Sequence, residues 1–234
     1  MATLYDLLLR GGPVMFPVVA LSMLTLACGL ERSLFWWRTL RGEDQLVLQI
    51  LEAAAQDLSE ARAIAKAAHQ RPIARFLLAP LMLHQPSPET FRLALESAGD
   101  REFVQMRRFD KLLETIVGLA PLLGLLGTVT GLIVTFFNLK IGTTSLDTSK
   151  AALGIGEALI TTAGGMIVAI FALIVFRVCV ALQAMQIDYF TDAGNKLELI
   201  YRQRWYEPHQ QQSYMHPQDL LQQLARLLDQ TGSS

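Results

Sequence analysis

Chemistry in this sequence is most readily lodged at a single acidic residue inside an apolar run. Glu157 is the only charge among the 26 residues between Lys150 and Arg177, and an acid deep in a membrane span costs about 2.5–3.5 kcal/mol on insertion scales, so it faces a cavity or a partner. It lies seven residues past Lys150, roughly 10 Å along a helix at about 1.5 Å per residue, so a position near the membrane interface is the alternative. Two roles suit such a carboxyl. One is proton relay, with burial favouring the neutral form, and the other is a polar lining that orders water. Thr161 falls one turn after Glu157 on its face, Gly164 and Gly165 follow a turn later, and Thr162 lies about 140° around the helix from Glu157.

A second cluster precedes this one. Gly124, Gly127 and Gly131 fall on one helical face, and Gly127 to Gly131 is a GxxxG pair that permits close helix approach. Thr128 stands beside that face, and Thr130 and Thr135 add hydroxyls. Any one such threonine can simply bond to its own backbone. An acid, paired threonines and closely spaced glycines together are a more specific pattern than any of them alone.

These clusters need elements that cross a bilayer, which takes about 20 mostly apolar residues in a helix. Three stretches qualify: 20 uncharged residues between Arg10 and Glu31, 25 between Glu114 and Lys140, and the run containing Glu157. Phe35, Trp36 and Trp37 after the first suit an interfacial belt. A cleaved secretory leader is the competing reading of that first run, but only Arg10 and Asp6 precede it as charges. Pro13 and Pro17 sit near its start, where a helix tolerates proline. Basic residues near the span ends, Arg32, Arg38, Arg41, Arg101, Arg107, Arg108 and Lys111, place the long first loop in the cytoplasm and the N-terminus outside.

The expected fold is therefore all-α, a polytopic membrane protein with three transmembrane helices and long cytoplasmic helical extensions. Residues 1–10 form a periplasmic N-terminus, 11–39 the first span, 40–113 a cytoplasmic helical loop, 114–139 the second span, 140–150 a periplasmic loop and 151–180 the third span. A cytoplasmic extension over 181–206, a linker over 207–217 and an amphipathic segment over 218–234 complete the chain. The stretch from Ser87 into the second span, without proline from Glu89 to Ala120, reads as one projecting helix. In the tail, Leu220, Leu221, Leu224, Leu227 and Leu228 share a face suited to packing within an oligomer or against a partner.

Composition removes other classes. Of 234 residues 52% are hydrophobic and 18% charged, with a net charge of −1, which gives no surface for nucleic acid. Cys28 and Cys179 stand apart in apolar runs, and His69, His84, His209 and His216 are scattered, so neither a disulfide framework nor a metal site is indicated, and no cofactor. The spans hold no second acid or nucleophile to complete an enzyme's acid–base pair.

Residues 120–136, APLLGLLGTVTGLIVTF, and 154–170, GIGEALITTAGGMIVAI, resemble the second- and third-helix signatures of the MotA/TolQ/ExbB proton channel family, nearest its ExbB/TolQ branch. The resemblance implies a ring-forming homo-oligomer, commonly a pentamer, in the bacterial inner membrane. A pair of ExbD- or TolR-like single-span subunits would occupy its channel and carry the proton on their own acid. It implies that Glu157, Thr128 and Thr162 are channel-lining; Thr161, on the Glu157 face, is expected beside them, and the spacing of Gly124, Gly127, Gly131, Gly164 and Gly165 suits helix packing. It further implies work on a TonB- or TolA-like periplasm-spanning protein, for outer-membrane transport or, in a TolQ-like role, envelope maintenance. A scaffold that conducts nothing is the competing class. The sequence departs from the family at Leu153 and Phe171, where proline is frequent, so a straighter third helix is expected.

Overall fold

The computed structural model describes residues 12–138 and 146–208. The expected N-terminal segment 1–10, residues 140–145 of the 140–150 connection, most of the linker and the amphipathic segment 218–234 lie outside the described residues. Among the described residues every regular element is a helix, with no strand. In chain order the helices are α1 (Met15–Leu40), α2 (Glu43–Gln56), α3 (Leu58–Ala67), α4 (Pro72–Leu81), α5 (Pro88–Met106), α6 (Asp110–Asn138) and α7 (Leu146–Tyr201), and a π-helical turn over Arg202–Tyr206 follows. Three of the helical stretches are long and apolar enough to cross a membrane.

Local chemistry sets the boundaries. Pro17 occupies the first turn of α1, where its missing N–H has no intrahelical acceptor. Gly42, at φ 75°, makes the left-handed turn between α1 and α2. Asp57 ends α2 and caps α3, its Oδ1 accepting from the Ser59 N–H at 2.8 Å. Ser87 does the same for α5, accepting the Thr90 N–H at 3.2 Å, with Pro88 as first helical residue.

The expected single helix from Ser87 into the second span is interrupted. Arg107–Phe109 form a turn, and Phe109 takes φ 72°, a costly conformation for an aromatic residue. Its ring lies 5.4 Å from the Arg32 guanidinium and 4.9 Å from that of Arg108, contacts that offset part of the cost. Proline-free sequence thus permits a helix without requiring one. The third apolar helix, by contrast, runs through Leu153 and Phe171 without a break.

The chain divides into two compact units. The first comprises α1, α6 and the part of α7 up to Ala184. Its core is Val18, Ile116, Ala120, Val168, Ala169 and Ala172, mostly small side chains that let the helices approach. Apolar side chains also point outward, among them Leu122, Val134, Ile167, Ile170 and Ile174, each more than half exposed. Such a surface suits hydrocarbon or another apolar face.

The second unit contains α2–α5 and the part of α7 from Met185. Large apolar and aromatic side chains fill its core, as they do in water-soluble domains. Ile50, Ile73, Leu77 and Leu197 are fully buried, and Phe190 packs between Phe76 and Phe103 with centroids at 5.0 and 5.6 Å. Tyr201 stacks on Phe91 at 4.4 Å and donates to the Pro86 carbonyl at 2.7 Å. Trp205 Nε1 donates to the Ala54 carbonyl at 2.9 Å, and Arg75 grips the buried Glu102 carboxylate through two hydrogen bonds of 2.7 and 2.5 Å. These three polar groups find their partners at long sequence separation.

Candidate functional site

Within the first unit α6 and α7 run antiparallel at backbone contact, and glycine makes the contact possible. A Cβ on Gly165 would lie 2.5 Å from the Ala120 carbonyl oxygen and 3.1 Å from the Gly124 Cα; one on Gly124 would lie 3.0 Å from the Thr162 Cα. Further along, Gly127 abuts the Thr161 side chain, Gly131 would bring a Cβ to 2.7 Å from that of Ala158, and Gly154 abuts the Thr135 hydroxyl. Gly164 is different. It faces Met15 of α1, with a Cβ-to-Cε distance of 3.3 Å, although its neighbour Gly165 faces α6.

The threonines divide by hydrogen bond. Thr128 donates to the Leu125 carbonyl at 2.7 Å, Thr130 to that of Leu126 at 2.9 Å and Thr135 to that of Gly131 at 2.8 Å. A hydroxyl so engaged has committed its proton to its own helix and offers only lone pairs to anything outside. Thr161 donates to the Glu157 carbonyl at 3.3 Å and is 1% exposed, so it sits in the helix contact rather than on the open surface of this chain. Thr162 instead crosses to α6, donating to the Gly124 carbonyl at 2.7 Å. That bond is expected to stabilise the helix pair by about 0.6–1.7 kcal/mol. Thr162→Val should lose this amount, read by reversible unfolding in mixed micelles, and Thr162→Ser should retain it.

Glu157 is exposed on this chain and borders a cleft of about 190 Å³. The cleft is shared with Gly127, Thr130, Gly131, Val134, Thr135, Gly154 and Ala158, and with Gly12–Val14. Among the described residues that line it there is no basic side chain. The structure thus gathers Glu157 with Thr130 and Thr135, whereas Thr128 and Thr162 lie outside this cleft and Thr162 is committed to Gly124. Thr130 and Thr135 are visible in the sequence as added hydroxyls, but their nearness to Glu157 depends on the antiparallel register of α6 and α7, which no local pattern encodes.

At the end of the first unit, Asp110 opens α6 and accepts two hydrogen bonds from Gln183 Nε2, at 3.0 and 2.9 Å. Partial burial pushes the Asp110 carboxyl above the usual range, while Gln183 and the Arg32 and Arg107 charges pull it down. No motif points to this pairing, because its partners are 73 residues apart.

Comparison with known proteins gives this geometry a family. The model of the MotA/TolQ/ExbB proton channel family matches residues 68–192, more than half of the chain. The putative biopolymer transport protein ExbB-like 1 of Synechocystis is 63% identical over 209 residues, covering 88% of this chain and 82% of that protein. ExbB-like 3 of the same organism is 35% identical over 88% of this chain and 98% of its own length. The Tol-Pal system protein TolQ of Haemophilus influenzae is 32% identical over 47% of this chain and 48% of its own. With three helices fit to cross a membrane, a glycine-packed second and third span and a carboxyl beside their hydroxyls, this chain belongs to the MotA/TolQ/ExbB proton channel family.

Proposed function

We propose that this chain is the ring-forming subunit of an ExbB-type inner-membrane motor and that Glu157 belongs to the polar lining of its proton path. The observation that carries the reading is Glu157 itself, a carboxyl in an apolar span that borders a cleft whose other polar side chains, among the described residues, are Thr130 and Thr135. A carboxyl with no basic neighbour among the described residues of the cleft can exchange a proton or order water, and the hydroxyls can accept from a hydrated proton. Thr128 and Thr162 join the lining once copies of the chain assemble, and Thr161 supports it from within the helix contact. The N-terminus lies in the periplasm and the C-terminus in the cytoplasm, as the basic residues around the first loop favour.

In this reading several copies, five by analogy with the family, surround single-span ExbD- or TolR-like subunits, and a membrane carboxylate of that partner completes the path. The output is mechanical work on a TonB-like protein, with a TolA-like partner as the alternative. The test is co-purification with a single-span protein bearing one membrane Asp, followed by proton flux in liposomes. Flux is expected with both proteins present and is expected to vanish when the partner's Asp is replaced. A stable complex that dissipates no pH gradient would overturn the channel reading and leave a scaffold.

A further inference from the structure

In the second unit, one carboxyl is buried beside a side chain that can only half satisfy it. Glu43 opens α2 and is 4% exposed; Gln186 of α7 is 3% exposed. Gln186 Nε2 donates to Glu43 Oε2 at 2.9 Å. The other oxygen of each group, Glu43 Oε1 and Gln186 Oε1, is buried with no hydrogen-bond partner among the described residues. An ionised carboxylate and an amide oxygen are both acceptors only, so the charged form leaves two orphans on the two partners of one hydrogen bond. Because each orphan shares a carbon with an atom already in that bond, a single proton placed on Glu43 Oε1 and donated to Gln186 Oε1 satisfies both.

We propose that Glu43 is a proton-holding site: protonated at neutral pH, it closes an acid–amide ring with Gln186 that latches the start of α2 onto α7, and ionisation opens the latch. The surroundings work in both directions. Burial pushes the Glu43 carboxyl above its usual range, and the adjacent Asp44 adds to this, while the Gln186 hydrogen bond and the Arg71 charge pull down. The helix N-terminus also favours the charged form. Arg71 is engaged elsewhere, however, donating from Nη1 to the Gly42 carbonyl at 2.5 Å. Tyr189, the titratable neighbour on α7, is held neutral by burial and by its hydrogen bond with Asp44, so it brings no charge to Glu43. With the folded-state value raised, the stability the latch contributes is full below the unfolded carboxyl's value of about 4.5 and is lost as pH rises through the folded value.

The experiment uses the full chain in nanodiscs. Infrared spectra at pH 7 are expected to show a protonated carboxyl band that disappears in Glu43→Gln, whose amide can still donate to Gln186 Oε1. Hydrogen exchange, corrected for its intrinsic pH dependence, is expected to show the first turn of α2 opening up to tenfold more often per pH unit as the wild-type carboxyl ionises. In Glu43→Gln that opening should not change with pH. Should Glu43→Gln fail to fold, Gln186→Leu keeps the carboxyl and must shift the band. Spectra identical in wild type and variants, or a wild-type carboxyl fully ionised at pH 7, would overturn the proposal; both readouts are independent of proton conduction.

Discussion

Replacing Glu157 with Ala is expected to abolish proton-driven work while the protein still inserts and assembles. Removing a charge from an apolar span lowers the insertion cost, by about 2.5–3.5 kcal/mol on biological scales, so a fall in expression is not the anticipated cause of a loss. What Ala removes is the carboxyl of the cleft that holds Thr130 and Thr135. Glu157→Gln separates the two roles. If the carboxyl itself passes protons, Gln is as inactive as Ala, and the loss is on the order of 100-fold or more, as for other positioned acid–base groups. If it orders water, Gln keeps a polar group of the same shape and loses about tenfold or less. Proton flux in liposomes with the partner subunit is the measurement, with energy-dependent uptake in cells beside it. Full retention by Glu157→Ala at normal expression would remove Glu157 from the path.

How much of the fold and the site is legible in the sequence depends on the range of the interactions involved. The three apolar helices follow from hydrophobic length alone, because a span must satisfy its own backbone within one segment. The glycine face of α6 can be read as a face, since i, i+3 and i+7 spacing is local. Its partner atoms cannot, so Gly164 and Gly165 look alike in sequence although they face α1 and α6 respectively. The turn at Arg107–Phe109 is hidden because no proline or glycine announces it; an aromatic residue occupies the left-handed conformation there with help from Arg32, distant in sequence. Buried polar pairs are the least legible of all. Glu43 and Gln186 are 143 residues apart and each looks like an ordinary polar residue on an amphipathic helix. Their significance is a matter of which oxygen is left without a donor.

The same distinction between a face and its partner atoms makes the glycines separable by experiment. Gly165→Ala is expected to cost about 1–3 kcal/mol, the usual range for forcing a methylene into a filled site, and Gly165→Leu to prevent a stable α6–α7 pair. The clash is with the Ala120 carbonyl and the Gly124 backbone, neither of which can swing aside as a side chain tip would. Gly131→Ala should cost a similar amount, because the obstructing Ala158 Cβ, 2.7 Å away, is fixed to its backbone and cannot rotate aside. Gly118 and Gly156 are the controls: among the described residues nothing lies within 4 Å of a Cβ at either position, so Ala there should be neutral or gain up to about 1 kcal/mol of helix propensity. Reversible unfolding in mixed micelles reads the first effect, and the mass of the assembled complex reads a second. A substitution at Gly118 or Gly156 that leaves the single chain's stability intact but breaks the assembly would mean that this open face meets another copy of the chain. Equal costs at Gly165 and Gly118 would instead mean that α6 and α7 do not approach through Gly165, and the register that brings Glu157 to Thr130 and Thr135 would fall with it.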